Sequence, residues 1–396
     1  MRSTSPADHR RHALHPYHTC FVTDTYPPEV NGVALTLARL VDGLRARGHT
    51  VSVVCPHRWT DERSRDPAVT FVRGIPLPGY KGLHLGLLAG RLLRDCWTRN
   101  PPGVVYVATE GPLGWSAVRT ARRLGIPVLS GLHTDFHSYS RHYYGGLLQH
   151  WVALYLRRFH NRTDGTLVPS VNLRDRLCAS GFKNVRVLGR GVDSELFTPA
   201  RRRPALRKTW GVSEHDLVVL YVGRVAPEKN LGLAIAAYRA IQRRNEEVKF
   251  VIVGDGPQRD TLQNDHPDLL FCGVRKGEEL AGHYASADLF LFPSQTETFG
   301  NVTLEAMASG LVVLAYDYAA AHVHITHGET GVLVPYGEPA AFVTAATDLA
   351  RAPQSLHRMR RQAREYVATL GWQRVVQQFE MLLTGVLAKP RTALER

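Results

Sequence analysis

Residues 288–310 read DLFLFPSQTETFGNVTLEAMASG, and the reading of this stretch decides the fold. The run Leu289-Phe290-Leu291-Phe292 has strand length and aliphatic-aromatic content, and it stops at Pro293. Gly300-Asn301 opens a short helix, and Gly310 stands where a C′ glycine ends one. The pattern is strand, loop, helix. Two carboxylates bracket the turn: Glu297 in the loop and Glu305 two turns into the helix. The amides of Phe299, Gly300, Asn301 and Val302 are the unsatisfied donors of a helix N-terminus, a natural seat for a phosphate. A phosphate cradle between two hydrogen-bonding carboxylates fits a nucleotide-sugar, which has phosphates in the middle and hydroxyl-rich sugars on either side.

The same grammar extends outward through the second half. The run 217–222, LVVLYV, leads into Gly223-Arg224-Val225-Ala226-Pro227-Glu228-Lys229-Asn230 and a helix from about Leu231. Arg224 and Lys229, five residues apart in a strand-to-helix loop, both reach an anion held at that crossover. Phe250–Val253 meets the tight turn Gly254-Asp255-Gly256-Pro257. Leu269–Val274, Leu311–Ala315 and Gly331–Val334 read as further strands. Strands alternating with helices predict a parallel sheet.

The first half repeats the pattern. Tyr17–Thr23 is a strand that ends in the loop Asp24–Gly32, a helical pattern runs from Val33 to Gly48, and Val51–Pro56 is a second strand. Further strands are read at Gly103–Val107, Gly125–Ser130, Thr166–Ser170 and Val185–Leu188. His133 falls just past a strand end, where open parallel sheets bind ligands. The fold class expected is therefore α/β, with two parallel-sheet domains facing each other across a cleft. The boundaries read are a flexible tail over 1–16, an N-terminal domain over 17–198, a C-terminal domain over 199–370 and a terminal helix over 371–396.

Composition sets limits. The 396 residues are too many for one ordinary core. Of the formal net charge of +14, all lies in residues 1–190, which carry 26 Lys and Arg against 12 Asp and Glu; residues 191–396 carry 23 of each. That asymmetry predicts an acidic partner for the first half. Two stretches there interleave Leu, Trp and Arg, Leu83–Arg99 and Tyr143–Arg162, and both read as basic amphipathic helices able to lie on a membrane surface. The five cysteines form no C-x-x-C pair and read as reduced thiols of a cytosolic protein. The N-terminus has no apolar core of a secretory signal, and no run approaches the length of a membrane span. Neither half carries a full G-x-G-x-x-G, which disfavours a dehydrogenase. No Asp-x-Asp sits at a strand end, and His133, His137 and His142 lack carboxylate support, so no metal site is expected.

With these residues in place, the chain resembles the retaining GT-B glycosyltransferases of family four. The resemblance rests on G-R-x-x-x-E-K-N at Gly223–Asn230, Gly254-Asp255-Gly256-Pro257, and the E-x7-E pair Glu297 and Glu305, in that order. It covers the chain from about Tyr17. The loop Pro27–Val33, reading V-N-G-V, and the stretch from His133 to Tyr143 are similar to a subset that includes α-mannosyltransferases and glycosyl-diacylglycerol-type lipid transferases.

The resemblance implies roles. His133, Arg224, Lys229 and Glu297 are implied as catalytic, with Arg224 and Lys229 on the donor diphosphate and Glu297 on the transferred sugar. Gly32, Gly223, Gly254, Val274, Phe299, Gly300, Asn301, Val302 and Glu305 are implied in donor binding, with Glu305 on the ribose. Asn31, Thr134, Asp135, Tyr139 and Tyr143 are acceptor candidates. Asn31 also replaces one of two glycines that many members carry in that loop. The implied reaction moves a hexose, with α configuration kept, from GDP-mannose or a UDP-hexose to a lipid or lipid-linked glycan, without metal or other cofactor. The expected setting is cytoplasmic, at the inner face of a membrane. A nucleotide-sugar epimerase is the nearest rival, and both motifs weigh against it. A binding module for nucleic acid or anionic lipid accounts for the basic half but not for Arg224, Lys229, Glu297 and Glu305, so nucleic acid is not an expected partner.

Overall fold

The computed structural model describes residues 16–29, 31–57, 66–77, 84–133, 146–297 and 299–388, with the backbone alone at 146–149. The tail read over 1–16 falls outside these residues except for its last position, as do Thr134, Asp135, His137, Tyr139, His142 and Tyr143.

Runs that are apolar on both faces become strands buried on both faces, as parallel sheets require. In the first half the strands are β1 (His18–Val22), β2 (Thr50–Pro56) and β3 (Val69–Val72), then a small antiparallel pair, β4 (Gly74–Pro76) and β5 (His84–Gly86), then β6 (Val104–Val107), β7 (Val128–Gly131), β8 (Gly165–Val168) and β9 (Val185–Val187), with β1, β6, β7 and β8 the most deeply buried and β3, β4, β5 and β9 only partly so. The second half contributes β10 (Val218–Val222), β11 (Lys249–Val253), β12 (Leu270–Gly273), β13 (Leu289–Phe292), β14 (Val312–Tyr316) and β15 (Val332–Val334). The first sheet is parallel in the order β3-β2-β1-β6-β7-β8-β9; the second is parallel in the order β12-β11-β10-β13-β14-β15. Both are doubly wound, and the strand order reverses between β1 and β6 and between β10 and β13. At such switch points the loops diverge and leave a crevice at the carboxyl ends of the strands. Residues 23–31, 223–230 and 293–300 all follow switch-point strands.

One expectation changes. Leu83–Arg99 is not one amphipathic helix: it holds β5 and then a helix, Gly90–Arg99, in which Leu93 and Trp97 face the core. The hairpin escapes a periodicity reading because each strand has three residues, too few to show alternation. The cluster Arg201–Arg203 is held on the second sheet's domain. Arg202 bonds Asp288 and the carbonyl of Ala285, and the main-chain N–H of Arg203 donates to Ser286 Oγ, so these residues are anchored in the second sheet's domain.

The last helix, Trp372–Leu387, crosses back to the first sheet. Its Val375, Val376, Phe379, Leu383 and Val386 join Phe21, Leu37, Val53 and Tyr106 in one buried cluster. The two places where the chain changes domain lie side by side. Val192 bridges Gly371 and donates its N–H to the Leu370 carbonyl at 3.0 Å, and the Arg364 guanidinium donates to the carbonyls of Ser194, Phe197 and Ala308.

Candidate active site

The loop after β10 folds as a 3-10 turn, Pro227–Lys229, followed by Asn230 in the left-handed region. Arg224 and Lys229, on either side of this turn's start, have different carboxylate partners. Arg224 pairs with the buried Glu228 at 3.5 Å. The Lys229 ammonium lies 2.5 Å from Glu297 Oε1 and 3.1 Å from the Thr296 carbonyl. Ser294 Oγ donates to the same Glu297 oxygen at 2.9 Å. The main chain also ties the two loops, with Gln295 N–H donating to the Glu228 carbonyl at 3.0 Å. A half-buried lysine and a half-buried glutamate from neighbouring switch-point loops thus form one ion pair. Its charges are available to a ligand carrying both a phosphate and a hydroxyl.

Glycine makes two approaches possible. A Cβ on Gly254 would lie 1.9 Å from the Gly223 carbonyl oxygen, so the turn after β11 can rest directly on the turn after β10. Gly300 holds φ +94°, a left-handed conformation, and thereby starts the helix Asn301–Ala308. That start has no side-chain cap; the Thr303 N–H donates to the Gly300 carbonyl at 3.1 Å, and the N–H groups before it are the ones that could meet a ligand. Phe299 is buried beneath the turn, and its carbonyl accepts from Ala320 N–H. Asn301 and Val302 are partly accessible, and Val274, after β12, is half exposed.

Glu305 lies a little over one turn into that helix, not two. Its Oε2 accepts from the Tyr284 hydroxyl at 3.0 Å, and burial raises its carboxyl to about 7, with the Tyr284 bond opposing. The small pocket against Glu297 is lined by Phe292, Ser294, Phe299, Thr303 and Tyr316.

The first domain meets this site through the start of the helix Gly32–Ala46. A Cβ on Gly32 would lie 3.5 Å from Asn301 Nδ2, so the two helix starts face each other across the cleft. Asn31 is the N-cap of its own helix: its Oδ1 accepts from Val33 and Ala34 N–H, and its Nδ2 donates to Thr25 Oγ1 and Glu29 Oε2. The sequence carries that signal, an Asn directly before an apolar-periodic run. As an acceptor candidate, Asn31 has its side chain committed to its own loop.

His133 is buried, and both ring nitrogens are engaged. Nε2 lies 2.9 Å from the Tyr106 hydroxyl and Nδ1 lies 2.8 Å from Arg190 Nη2. Burial, with help from Arg190 and His160, holds its imidazolium well below the usual histidine value. No motif or spacing singles out Arg190 or Tyr106. Among the described residues, no group of three His, Cys, Asp or Glu side chains is placed to hold a metal ion, and no helix is long and apolar enough to cross a membrane.

Comparison with known proteins agrees with this architecture. The Glycosyltransferase Family 4 model matches residues 30–196 and the Glycosyl transferases group 1 model matches residues 202–366. A GDP-mannose-dependent alpha-mannosyltransferase of Mycobacterium tuberculosis is 35% identical over 326 residues, which are 80% of this chain and 83% of that protein. The alpha-monoglucosyldiacylglycerol synthase of Streptococcus pneumoniae is 28% identical over 74% of this chain and 70% of its own. Among solved structures, Anabaena HepE in complex with UDP and glucose superposes with a TM-score of 0.73 at 19% identity, over 93% of this chain and all of that one. Sucrose-phosphate synthase from Thermosynechococcus elongatus does so with 0.76 at 19% identity, over 94% of this chain and 99% of that one. With matched models covering both halves and two parallel-sheet domains, the chain belongs to the group 1, family 4 glycosyltransferases, GT-B enzymes that transfer a hexose from a nucleotide-sugar.

Proposed function

We propose that the chain is a retaining α-mannosyltransferase that uses GDP-mannose and delivers the sugar to a lipid or lipid-linked glycan. The observation that carries this reading is the Lys229–Glu297 pair beside the uncapped start of the helix Asn301–Ala308. In this reading the diphosphate sits on that helix start, with Arg224 and Lys229 neutralising the charge that grows on the departing nucleotide. Glu297, released from Lys229 as the phosphate arrives, accepts from hydroxyls of the mannose. Glu305 accepts from the ribose. The acceptor attacks from the face the nucleotide leaves, and a leaving-phosphate oxygen takes its proton, which keeps the α configuration without an enzymic nucleophile. The donor assignment draws on the mannosyltransferase relatives at 35%, 34% and 32% identity.

The lipid acceptor draws on relatives named as glycosyl-diacylglycerol synthases and on one surface. The helices Gly90–Arg99 and Gly146–His160 both flank the helix Pro112–Arg123: Ala89 N–H donates to Ser116 Oγ, and the Tyr155 ring stacks on Trp115 at 6.1 Å. Leu88 and Trp151 are 74% and 64% exposed there, among the exposed Arg91, Arg94, Arg157 and Arg158. Leu and Trp set among arginines suit the interface of an anionic bilayer.

The test is a transfer assay with GDP-mannose, UDP-glucose and UDP-galactose on vesicles with and without phosphatidylglycerol. GDP-mannose turnover with an α-linked lipid product is expected. A UDP-sugar preference overturns the donor, a β-linked product overturns retention, and a trapped glycosyl-enzyme adduct overturns the front-face route. Vesicle binding that is unchanged in a Leu88→Asp, Trp151→Ala variant overturns the membrane surface.

A further inference from the structure

His133, Tyr106 and Arg190 come from three separate elements and form one chain of hydrogen bonds. Tyr106 lies on β6 and is wholly buried; His133 follows β7; Arg190 follows β9 and is 8% exposed. A guanidinium has donors and no acceptor, so the 2.8 Å contact from Arg190 Nη2 requires a lone pair on His133 Nδ1. The neutral ring then carries its proton on Nε2, and that N–H donates to the Tyr106 oxygen 2.9 Å away. The direction of the chain is fixed: Arg190 to His133 to Tyr106. Space is reserved for it, because a Cβ on residue 131 would lie 2.1 Å from the Tyr106 oxygen and 2.6 Å from His133 Nε2, and residue 131 is glycine.

The second contact of Arg190 is to the Leu188 carbonyl at 3.5 Å, and among the described residues no carboxylate pairs with it. A buried cation without an anion is unfavourable for folding and persists where it has a task.

We propose that Arg190 is a positioning residue for the transfer reaction: it locks His133 as a neutral, Nε2-protonated imidazole, so that His133 is a fixed hydrogen-bond donor and not the base that takes the acceptor proton. The last clause rests on the sugar-transfer reading above; the tautomer lock does not. Among the described residues, the charged and titratable groups that face the ring are Arg190, Tyr106 and, beyond them, His160, whose Nε2 lies 3.3 Å from Glu110 Oε1. Protonating Nδ1 would set an imidazolium N–H against the guanidinium, which both removes the bond and opposes two positive charges.

The experiment is 15N NMR of full-length protein labelled at histidine, with His133 assigned by its loss in His133→Gln. In the wild type the His133 signals should keep the neutral Nε2–H pattern from about pH 5 to 8. In Arg190→Gln the ring should titrate inside that window, and kcat should fall about 10-fold to 100-fold. That fall should deepen as pH decreases through the new His133 pKa, with the donor KM little changed. Arg190→Lys, which restores a cationic donor, should recover part of both. A wild-type His133 that titrates near the ordinary histidine value overturns the proposal, as does an Arg190→Gln variant with the same tautomer and pH profile. The wild-type titration decides the question even if Arg190→Gln does not fold. The NMR arm is read without any sugar transfer, so a failure of the proposed activity is told apart from a failure of the lock.

Discussion

Two helices turn their first residues toward each other across the cleft, and they begin differently. Gly32–Ala46 is closed by the side chain of Asn31, which takes up two of its free N–H groups. Asn301–Ala308 begins at a left-handed glycine with no cap. Both starts present the same polar groups: unsatisfied amides and a partial positive charge. One helix start is capped by a side chain of its own loop, and the other has no side-chain cap. In the proposed reading the anion goes to the second domain, beside Arg224 and Lys229, and the first domain's capped helix start faces it.

The comparison can be broken most sharply at Lys229. Lys229→Ala should lower kcat by about 10²-fold to 10³-fold, because it removes a charge that matters most as the nucleotide departs. Steady-state kinetics with saturating donor check this; a change confined to KM would mean that Lys229 binds donor and transition state alike. The next largest effect is expected at the open helix start. Asn301→Asp places a negative charge in the first helical turn, which should stabilise the fold by about 0.3–1 kcal/mol through the helix dipole. The same charge should weaken donor binding by about tenfold, since it opposes the phosphate. Opposite signs in a melting curve and a donor titration support an anion site there; equal signs would remove it.

Acidity offers the third test. The Glu305 carboxyl is raised from 4.5 to about 7, first by burial. Its native form therefore keeps a proton that the unfolded chain has lost, and its contribution to stability is greatest below 4.5 and declines as pH rises to about 7. Donor affinity should move the other way, improving as pH rises through about 7 and the carboxylate forms to accept from the ribose. Both trends should flatten in Glu305→Gln, measured by melting and donor titration across that range. The smallest effect is at the closed helix. Asn31→Ala should cost about 1 kcal/mol of stability and Asn31→Gly a few tenths, with donor affinity unchanged in both. A larger loss of donor binding than of stability would return Asn31 to the ligand.

The second domain's site is largely legible in the sequence because its chemistry is local. Strand runs such as Leu289–Phe292 are apolar at every position, and glycine, proline and charge stand at their carboxyl ends, so element type and ligand loop are read together. Glu297, Lys229 and Ser294 lie within a few residues of those strand ends. The Arg190–His133–Tyr106 chain is not legible: its neighbouring members are separated by 57 and 27 residues, and sheet order alone brings them together. Arg190 sits between two glycines after a short strand, a position that reads as a loop charge. The Asn31 cap is legible in its residue type, yet a comparison of loops makes it look like a missing glycine. The helices Pro339–Arg351 and Pro353–Val367 have no counterpart in the sequence reading, although each has a proline in its first turn.

The helix Trp372–Leu387 has a consequence for the order of events during synthesis. Phe379 packs on Phe21 at 5.9 Å and on Tyr106 at 5.0 Å, so the first domain's core is finished by residues that leave the ribosome after the second domain. The emerging N-terminal half must wait, with one face of its sheet uncovered, while the second domain is made. Tyr106 is also the residue that receives the His133 hydrogen bond. The backing of that ring is therefore completed only after the second domain has been made, and an isolated N-terminal half is a sheet without its final layer and a histidine without its full support.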